Sequence, residues 1–303
     1  MTDLSRQILE NYQVRKTKKQ KGAFIRLLRQ HFPELQIQEG GFPKCKNIVV
    51  GDIENAQVIL TAHYDTCAQL PFPNFIMPKK PLISILYSVL LVIPFCIAIG
   101  LASFFLSFLI TDFQTHYWVT MAMYFGLLSL LIAGPANKHT ANDNTSGVIT
   151  LCELMQILTP DLRAKAAFVF FDHEETGLIG SSMFRSKYKT VMKNKLLINF
   201  DCVSDGDHIL VIANKAARTD FADVLKCSFL PTEEKSILFS KAEKTYYPSD
   251  QMGFKKAVAV SALKHHKFLG YYMDRIHTSR DTVFDKTNIK LICDSVLRLL
   301  KPL

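Results

Sequence analysis

The stretch that indicates the fold most directly is residues 166–177, with the sequence AAFVFFDHEETG. An apolar run, Ala166–Phe171, is followed at once by polar residues, and Glu174 and Glu175 stand side by side before Gly177. A short apolar run of this kind, bounded by turn residues, predicts a buried strand. Two carboxylates directly after it are hard to explain as core, because buried charges need a partner. The stretch therefore predicts a strand with a functional site at its carboxyl end.

Two other predicted strands end in the same way. Val58–Ala62 leads into His63 and Asp65, and Leu196–Phe200 leads into Asp201. Strands alternating with helices favour an α/β fold, with a mixed, largely parallel central sheet and helices on both faces. Sites in open sheets gather at the carboxyl ends of strands. The other predicted strands are Asn47–Val50, His208–Ala213 and Ala257–Ser261, and the predicted helices are Asp3–His31, Thr145–Leu158, Leu178–Tyr188, Thr219–Phe229 and Lys286–Leu300.

Composition limits the function classes. The formal net charge of +9 is compatible with nucleic acid or with an anionic membrane, but no nucleic-acid motif accompanies it, and we expect no nucleic-acid partner. The seven cysteines are odd in number and include no CxxC pair, which favours free thiols in a reducing compartment. Met1–Lys21 is polar and basic, so no secretory signal is expected there.

The predicted N-terminal helix has a cluster of basic residues in its middle, and apolar residues follow the cluster. The ordinary interpretation is an amphipathic helix with a solvated basic side, and the alternative is contact with anionic lipid. The basic residues are Arg15, Lys16, Lys18, Lys19 and Lys21.

Residues 82–134 are the second unusual feature. Leu82–Ile110 has no charge over 29 residues and, at ~1.5 Å per residue, exceeds the ~30 Å hydrocarbon core of a bilayer. Tyr117–Gly134 is uncharged for a further 18 residues. We predict a transmembrane helical hairpin, residues 81–134, that contacts lipid through residues 82–134. It interrupts one discontinuous domain formed by residues 1–80 and 135–303.

The charges around this hairpin predict its orientation. Lys79, Lys80 and Lys138 flank it, whereas its tip, Thr111–His116, has no lysine or arginine. The positive-inside rule then places the domain on the cytoplasmic side of the membrane.

The polar motifs have local explanations when each is taken alone. Asp143 can serve as a helix N-cap. Asp65 can lie behind the imidazole of His63, because residues two apart in an extended segment point the same way. Adjacent residues point apart, so one of Glu174 and Glu175 can bind a metal while the other faces a bound water.

Together the motifs resemble those of peptidase family M28, the di-zinc aminopeptidase-like hydrolases. The resemblance covers nearly the whole chain outside the hairpin. It rests on five motifs in the family's order: His63-Tyr64-Asp65, Asp143-Asn144-x-x-Gly147, Glu174-Glu175-x-Gly177-Leu178-x-Gly180-Ser181, Asn199-Phe200-Asp201 and His277-Thr278-x-x-Asp281-Thr282.

The resemblance implies a role for each residue. Asp143 would bridge two zinc ions, with His63 and Asp201 on one and Glu175 and His277 on the other. Glu174 would be the general base and Asp65 would orient His63, and the peptide bond after Asp143 would be cis. Cobalt or manganese also suit these nitrogen and oxygen donors. The implied activity is that of an aminopeptidase that releases N-terminal residues from short peptides.

Two alternatives share the fold. One is a glutaminyl-cyclase-like acyltransferase, which uses one zinc and usually lacks the first histidine; the other is a catalytically inactive membrane scaffold, which would have lost ligands. The chain departs from the family in carrying the hairpin between His63 and Asp143, and in having Gln251 where relatives often have histidine. Specificity and oligomeric state do not follow from the sequence.

Overall fold

A nine-stranded mixed sheet forms the centre of the structure, a computed structural model that covers residues 1–303. Its order is β1-β2-β4-β3-β5-β8-β6-β7, with β9 paired to the end of β8. The central strands β4, β3, β5 and β8 run parallel, and β2 and β6 run antiparallel to their neighbours in this group. The strands are β1 Gln36–Gly40, β2 Cys45–Val50, β3 Val58–His63, β4 Ala166–Phe171, β5 Leu196–Phe200, β6 His208–Ala213, β7 Ser236–Lys241, β8 Ala257–His266 and β9 Gly270–Tyr272.

Helices cover both faces of this sheet, which confirms the predicted fold class. The larger core of 44 buried residues lies on the face covered by α1, α2, α5, α8 and α9, and a smaller one of 12 lies under α7 on the other face. The helices are α1 Asp3–Asn11, α2 Lys18–His31, α3 Pro81–Leu106, α4 Phe113–Ala133, α5 Gly147–Ile157, α6 Pro160–Ala164, α7 Ile179–Lys187, α8 Lys215–Ser228 and α9 Lys286–Leu300.

The prediction of one continuous N-terminal helix is wrong. α1 and α2 are separate, and Thr17 starts α2 with a capping box, in which its side chain and that of Gln20 each bind the other's backbone amide. The solvated basic side is also wrong in part, because Arg15 is fully buried at the break and Lys21 binds Asp172 at 2.5 Å. A break between the helices turns these two side chains inward.

The helices α3 and α4 form an apolar hairpin that packs on itself. Their lengths are 26 and 21 residues, with mean hydropathies of 2.7 and 1.4 over an 18-residue window that has no buried residue in either helix. Ser103 is the one buried residue of the two helices. By length and composition, both are able to cross a membrane. The segments that flank the hairpin meet on the domain, where Ala68 pairs with Ala136 and the Gln69 amide donates to the Pro135 carbonyl at 2.8 Å. Residues 70–80 remain on the domain before α3 begins, and Ile76 pairs there with Met273.

Candidate metal centre

The fold brings the five predicted ligand residues together at the carboxyl edge of the sheet. His63 ends β3, Asp201 follows β5, and Glu175 lies in the loop after β4. These strands are parallel neighbours, so their ends meet. Asp143 comes from the irregular turn before α5, and His277 from the loop after β9. Three of the five side chains therefore come from the ends of neighbouring strands, and the turn before α5 and the loop after β9 supply the other two.

The carboxylate of Asp143 lies between two groups of donors. Its Oδ1 is 3.3 Å from Nε2 of His63, and its Oδ2 is 3.0 Å from Nε2 of His277. His63 Nε2 is also 3.5 Å from Oδ1 of Asp201, and His277 Nε2 is 3.3 Å from Oε2 of Glu175. In each group the donor atoms lie within 4.8 Å of one another, as ligands of one ion do. Asp143 is common to both groups.

The backbone around Asp143 is held from several directions. The Asp143–Asn144 peptide bond is cis, as the resemblance implies. The carboxylate of Asp281 accepts hydrogen bonds from the amides of Asn142 and Asp143, at 2.8 and 3.0 Å. Only glycine fits at position 147, because a Cβ there would lie 2.3 Å from the carbonyl oxygen of Phe200. These contacts fix the direction in which the Asp143 carboxylate points.

Asp65 lies behind His63, as the sequence predicts, and it also binds the backbone of the loop after β4. His63 Nδ1 is 3.1 Å from the Asp65 carbonyl oxygen and 3.7 Å from its carboxylate. That carboxylate accepts hydrogen bonds from the amides of Glu174 and Glu175, at 3.0 and 3.3 Å. Asp65 therefore connects the first histidine to the loop that carries the glutamate pair.

The site has a strongly negative field. Burial opposes protonation of His277, but Glu175 and Asp143 outweigh it and raise the pKa of His277 to about 9. Burial likewise opposes protonation of His63, yet the surrounding carboxylates raise its pKa well above the usual value. Burial raises the pKa of Glu175 to about 8 and that of Glu174 well above its usual range. Buried carboxylates in this number call for cations between them.

The donor set fits zinc. Two imidazoles and three carboxylates are nitrogen and oxygen ligands of the kind that zinc takes, and cobalt and manganese accept the same donors. One buried carboxylate oxygen, Oε1 of Glu175, has no hydrogen-bond partner in the protein. A buried acceptor without a partner costs about 1–3 kcal/mol, and a bound cation would remove that cost.

A cavity of about 260 Å³ opens onto this cluster. Glu174 lines it together with the five predicted ligands, whereas Ile76, Tyr247, Pro248 and Ile276 give it an apolar side. Ile76 belongs to the segment that leads from β3 into α3, where it pairs with Met273. The cavity can therefore hold a substrate with a polar reacting group and an apolar side chain.

Sequence reasoning assigned no role to two further buried groups. A ligand atom of Cys67 lies within 4.8 Å of those of Asp143, Glu175 and His277. Asp250 is fully buried and neither of its carboxylate oxygens has a hydrogen-bond partner. The position of Cys67 shortly after His63 is the sequence signal for the first. For the second, the signal is that Ser249-Asp250 belongs to the resemblance to the family, ahead of the last motif, although it implied no role for Asp250.

A comparison with protein-family models agrees with this geometry. The model of peptidase family M28 matches residues 122–300, more than half of the chain. The chain belongs to peptidase family M28. The match begins inside α4, so it includes four of the five motifs and leaves out the one at His63.

One curated relative agrees with the assignment to family M28. Leucine aminopeptidase 1 of Sclerotinia sclerotiorum is 27% identical in an alignment of 184 residues that covers 56% of this chain. The chain spans about half of that relative, 48% of its length. The family and this relative support a zinc-dependent peptidase.

Solved structures share the fold at low identity. A Zn-dependent exopeptidase from Parabacteroides distasonis has a TM-score of 0.60 at 15% identity, covering 98% of this chain and 94% of the other. Porphyromonas gingivalis glutaminyl cyclase has a TM-score of 0.59 at 16% identity, covering 99% and 95%. The LapA aminopeptidase of Legionella pneumophila has a TM-score of 0.56 at 13% identity, covering 98% and 67%. At these identities the likeness concerns the fold alone.

Proposed function

We propose that this M28 protein is a membrane-anchored aminopeptidase that binds two zinc ions and uses Glu174 as its general base. The observation that carries the proposal is the position of Asp143, whose two carboxylate oxygens face two different histidines at 3.3 and 3.0 Å. A carboxylate so placed can bridge two ions. His63 and Asp201 would complete one site, and Glu175 and His277 the other.

The chemistry divides between the ions and the protein. Zinc bound in these sites would polarise the scissile carbonyl and lower the pKa of a bound water. Glu174, which lines the same cavity, takes a proton from the attacking water and passes it to the leaving amine as the peptide bond breaks. Asp65 accepts a hydrogen bond from the Glu174 amide and thereby holds the loop segment that carries the base. The apolar wall at Ile76 and Ile276 accepts the side chain of the N-terminal residue.

The membrane placement is part of the same proposal. Residues 81–134 form a transmembrane hairpin inserted into one discontinuous zinc hydrolase domain, residues 1–80 and 135–303. Ile76 pairs with Met273 and so keeps the segment before Pro81 on the domain, and Ala136 pairs with Ala68 directly after the hairpin, which supports this division. Lys79, Lys80 and Lys138 flank the hairpin, and by the positive-inside rule they support a domain on the cytoplasmic side.

The test is to purify the full chain in detergent and to measure zinc content and the hydrolysis of aminoacyl reporters. We expect close to two zinc ions per chain and zinc-dependent release of N-terminal residues. E174Q should lower kcat by roughly 10²–10⁴-fold, the usual contribution of a general base, with unchanged zinc content. E233Q, in the exposed loop before β7, is the matched control and should behave as wild type.

Two results would contradict the proposal. Wild-type protein that holds zinc but cleaves no aminoacyl substrate is not an aminopeptidase, and full activity in E174Q would remove Glu174 from the reaction. A metal content near one per chain, with cyclisation of N-terminal glutamine, would favour the glutaminyl-cyclase-like alternative instead.

A further inference from the structure

The hairpin formed by β8 and β9 extends past the carboxyl edge of the sheet. β8 pairs with β5 as far as Val260 and with β6 as far as Leu263, and then continues to His266, where β9 folds back on it. Phe268, at the tip, is 73% exposed. It belongs to none of the buried apolar clusters. Core packing therefore does not account for a large apolar side chain at this tip.

The tip is attached to the first residues of the apolar hairpin. Lys80, directly before α3, donates from Nζ to the carbonyl oxygen of Phe268 at 2.9 Å. The Nζ of Lys79 lies 5.0 Å from the ring centroid of Tyr271. The uncharged segment begins at Leu82. If α3 enters the bilayer there, these contacts put Phe268 at the level of the lipid headgroups.

The lysines at this level that have no carboxylate partner leave an excess of positive charge. Lys79, Lys80 and Lys267 form no ion pair with a carboxylate, whereas the neighbouring Lys264 pairs with Asp274. Each unpaired lysine close to an anionic membrane strengthens the contact roughly fivefold. Apolar aromatic rings flanked by lysines are typical of protein surfaces that lie in the membrane interface. The composition of the tip therefore complements an anionic leaflet.

We propose that the β8–β9 tip is a second membrane contact, in which Phe268 inserts between anionic phospholipid headgroups and Lys79, Lys80 and Lys267 face their phosphates. The proposal rests on the membrane placement made above and adds a separate contact from the catalytic domain. β9 leads directly to the loop that carries His277. The contact therefore holds the rim of the metal centre against the bilayer.

The experiment uses tryptophan fluorescence of the full chain in nanodiscs. Trp118 in α4 is the only tryptophan, so W118F provides a silent background and F268W a probe at the exposed tip. We expect the emission of W118F/F268W to shift to the blue and to lose intensity when lipids brominated near the headgroup replace ordinary phosphatidylglycerol. T190W in the W118F background is the matched control. Thr190 is exposed before β5, at the opposite edge of the sheet, and its probe should be unaffected.

The native Trp118 separates the two proposals. If Trp118 is quenched by brominated lipid and the F268W probe is not, the tip contact is wrong and the membrane placement stands. If neither probe is quenched, both proposals fail.

The lysines are tested in the same assay. K79Q and K267Q should each lower the ratio of quenched to unquenched F268W probe by roughly fivefold in anionic nanodiscs. K193Q, an exposed lysine at the opposite edge, should leave it unchanged. Equal quenching in K79Q, K267Q and K193Q would overturn the assignment of anionic lipid.

Discussion

At the scale of single residues, Asp65 contacts three residues of the site although it is not itself a proposed metal ligand. It contacts His63 and accepts hydrogen bonds from the amides of Glu174 and Glu175. Carboxylates that orient metal-binding residues in this way affect metal binding although they do not touch the ion. The side chain therefore controls both the first histidine and the proposed base.

We expect D65N to lower zinc affinity by roughly 10–100-fold, the usual effect of losing such a carboxylate. The new amide nitrogen would face one of the two backbone N–H donors and leave it without an acceptor. The measurement is zinc competition with a chelator. D223N, on the exposed side of α8, should match wild type. Equal zinc affinities for D65N and wild type would show that Asp65 does not orient the ligands.

The convergence of the predicted ligands at one edge of the sheet has a physical reason that the sequence already contains. His63 ends an apolar strand, Asp201 directly follows one and Glu175 lies in the loop after a third, and parallel strands bring such residues to one edge. Cys67 was not assigned, because a single buried cysteine is most often a small apolar residue in a core. Asp250 was not assigned either, because its burial depends on contacts far away in the chain.

At the scale of elements, the break between α1 and α2 supports the metal centre from behind. Arg15 is buried there, and its guanidinium donates to the Tyr64 carbonyl at 2.6 Å and to the Thr145 hydroxyl at 3.1 Å. Tyr64 follows His63 and Thr145 lies two residues after Asp143. Arg15 therefore joins the segments that carry two of the proposed ligands.

Replacing Arg15 with methionine should destabilise the fold by about 3 kcal/mol, because buried acceptors would lose their donors. Chemical unfolding in detergent, followed by circular dichroism, measures the change. R26M, on the exposed face of α2, should have little effect. A free energy of unfolding for R15M equal to that of R26M would contradict the structural role of Arg15.

The start of α9 should give the fold a dependence on pH. Asp285 caps this helix through the Thr287 amide, at 2.8 Å, and binds the buried Lys235. Burial opposes ionisation of Asp285, but Lys235 and the cap outweigh it and hold its pKa below the usual value. The carboxylate therefore stabilises the fold above its unfolded pKa of about 4, and this contribution is lost as the pH falls through the lower folded pKa.

D285N should keep the cap and lose the charge. We expect it to be about 1–2 kcal/mol less stable than wild type at neutral pH, and the difference should shrink as the pH falls below about 4. Unfolding free energies across this pH range check both points. A difference that stays constant from neutral to acidic pH would show that the charge of Asp285 does not contribute.

Element boundaries show where sequence patterns stop being informative. β4, β5, β6 and α9 have the predicted bounds, because apolar periodicity and flanking turns marked them. The edge strand β1 was not predicted, since its half-exposed, polar sequence lacks the apolar signal of central strands. The edge strand β7 was not predicted either, although Ile237–Phe239 is an apolar run, because the run is only three residues long and half-exposed. The break between α1 and α2 is nevertheless marked in the sequence. Thr17 and Gln20 have the spacing of a capping box.

At the scale of the whole molecule, the orientation of the hairpin is open to a direct test. A protease site inserted between Thr111 and Asp112, at its tip, should be cut from the outside of intact cells and protected in inverted membrane vesicles. The same site at Asn55, in an exposed turn of the domain, should show the opposite pattern. Cleavage of both sites from the same side would contradict the proposed topology.

The insertion of the hairpin between β3 and Asp143 also has a consequence for biosynthesis. His63 leaves the ribosome well before Asp143, and the segment that separates them is the one we assign to the bilayer. β3 cannot complete its pairing until β4 and β5 have been translated, so the early chain waits with an unpaired apolar strand. Delivery to the translocation machinery would coincide with this wait. If the proposed function and membrane placement hold, the metal centre would be completed only after the hairpin has been delivered to the membrane.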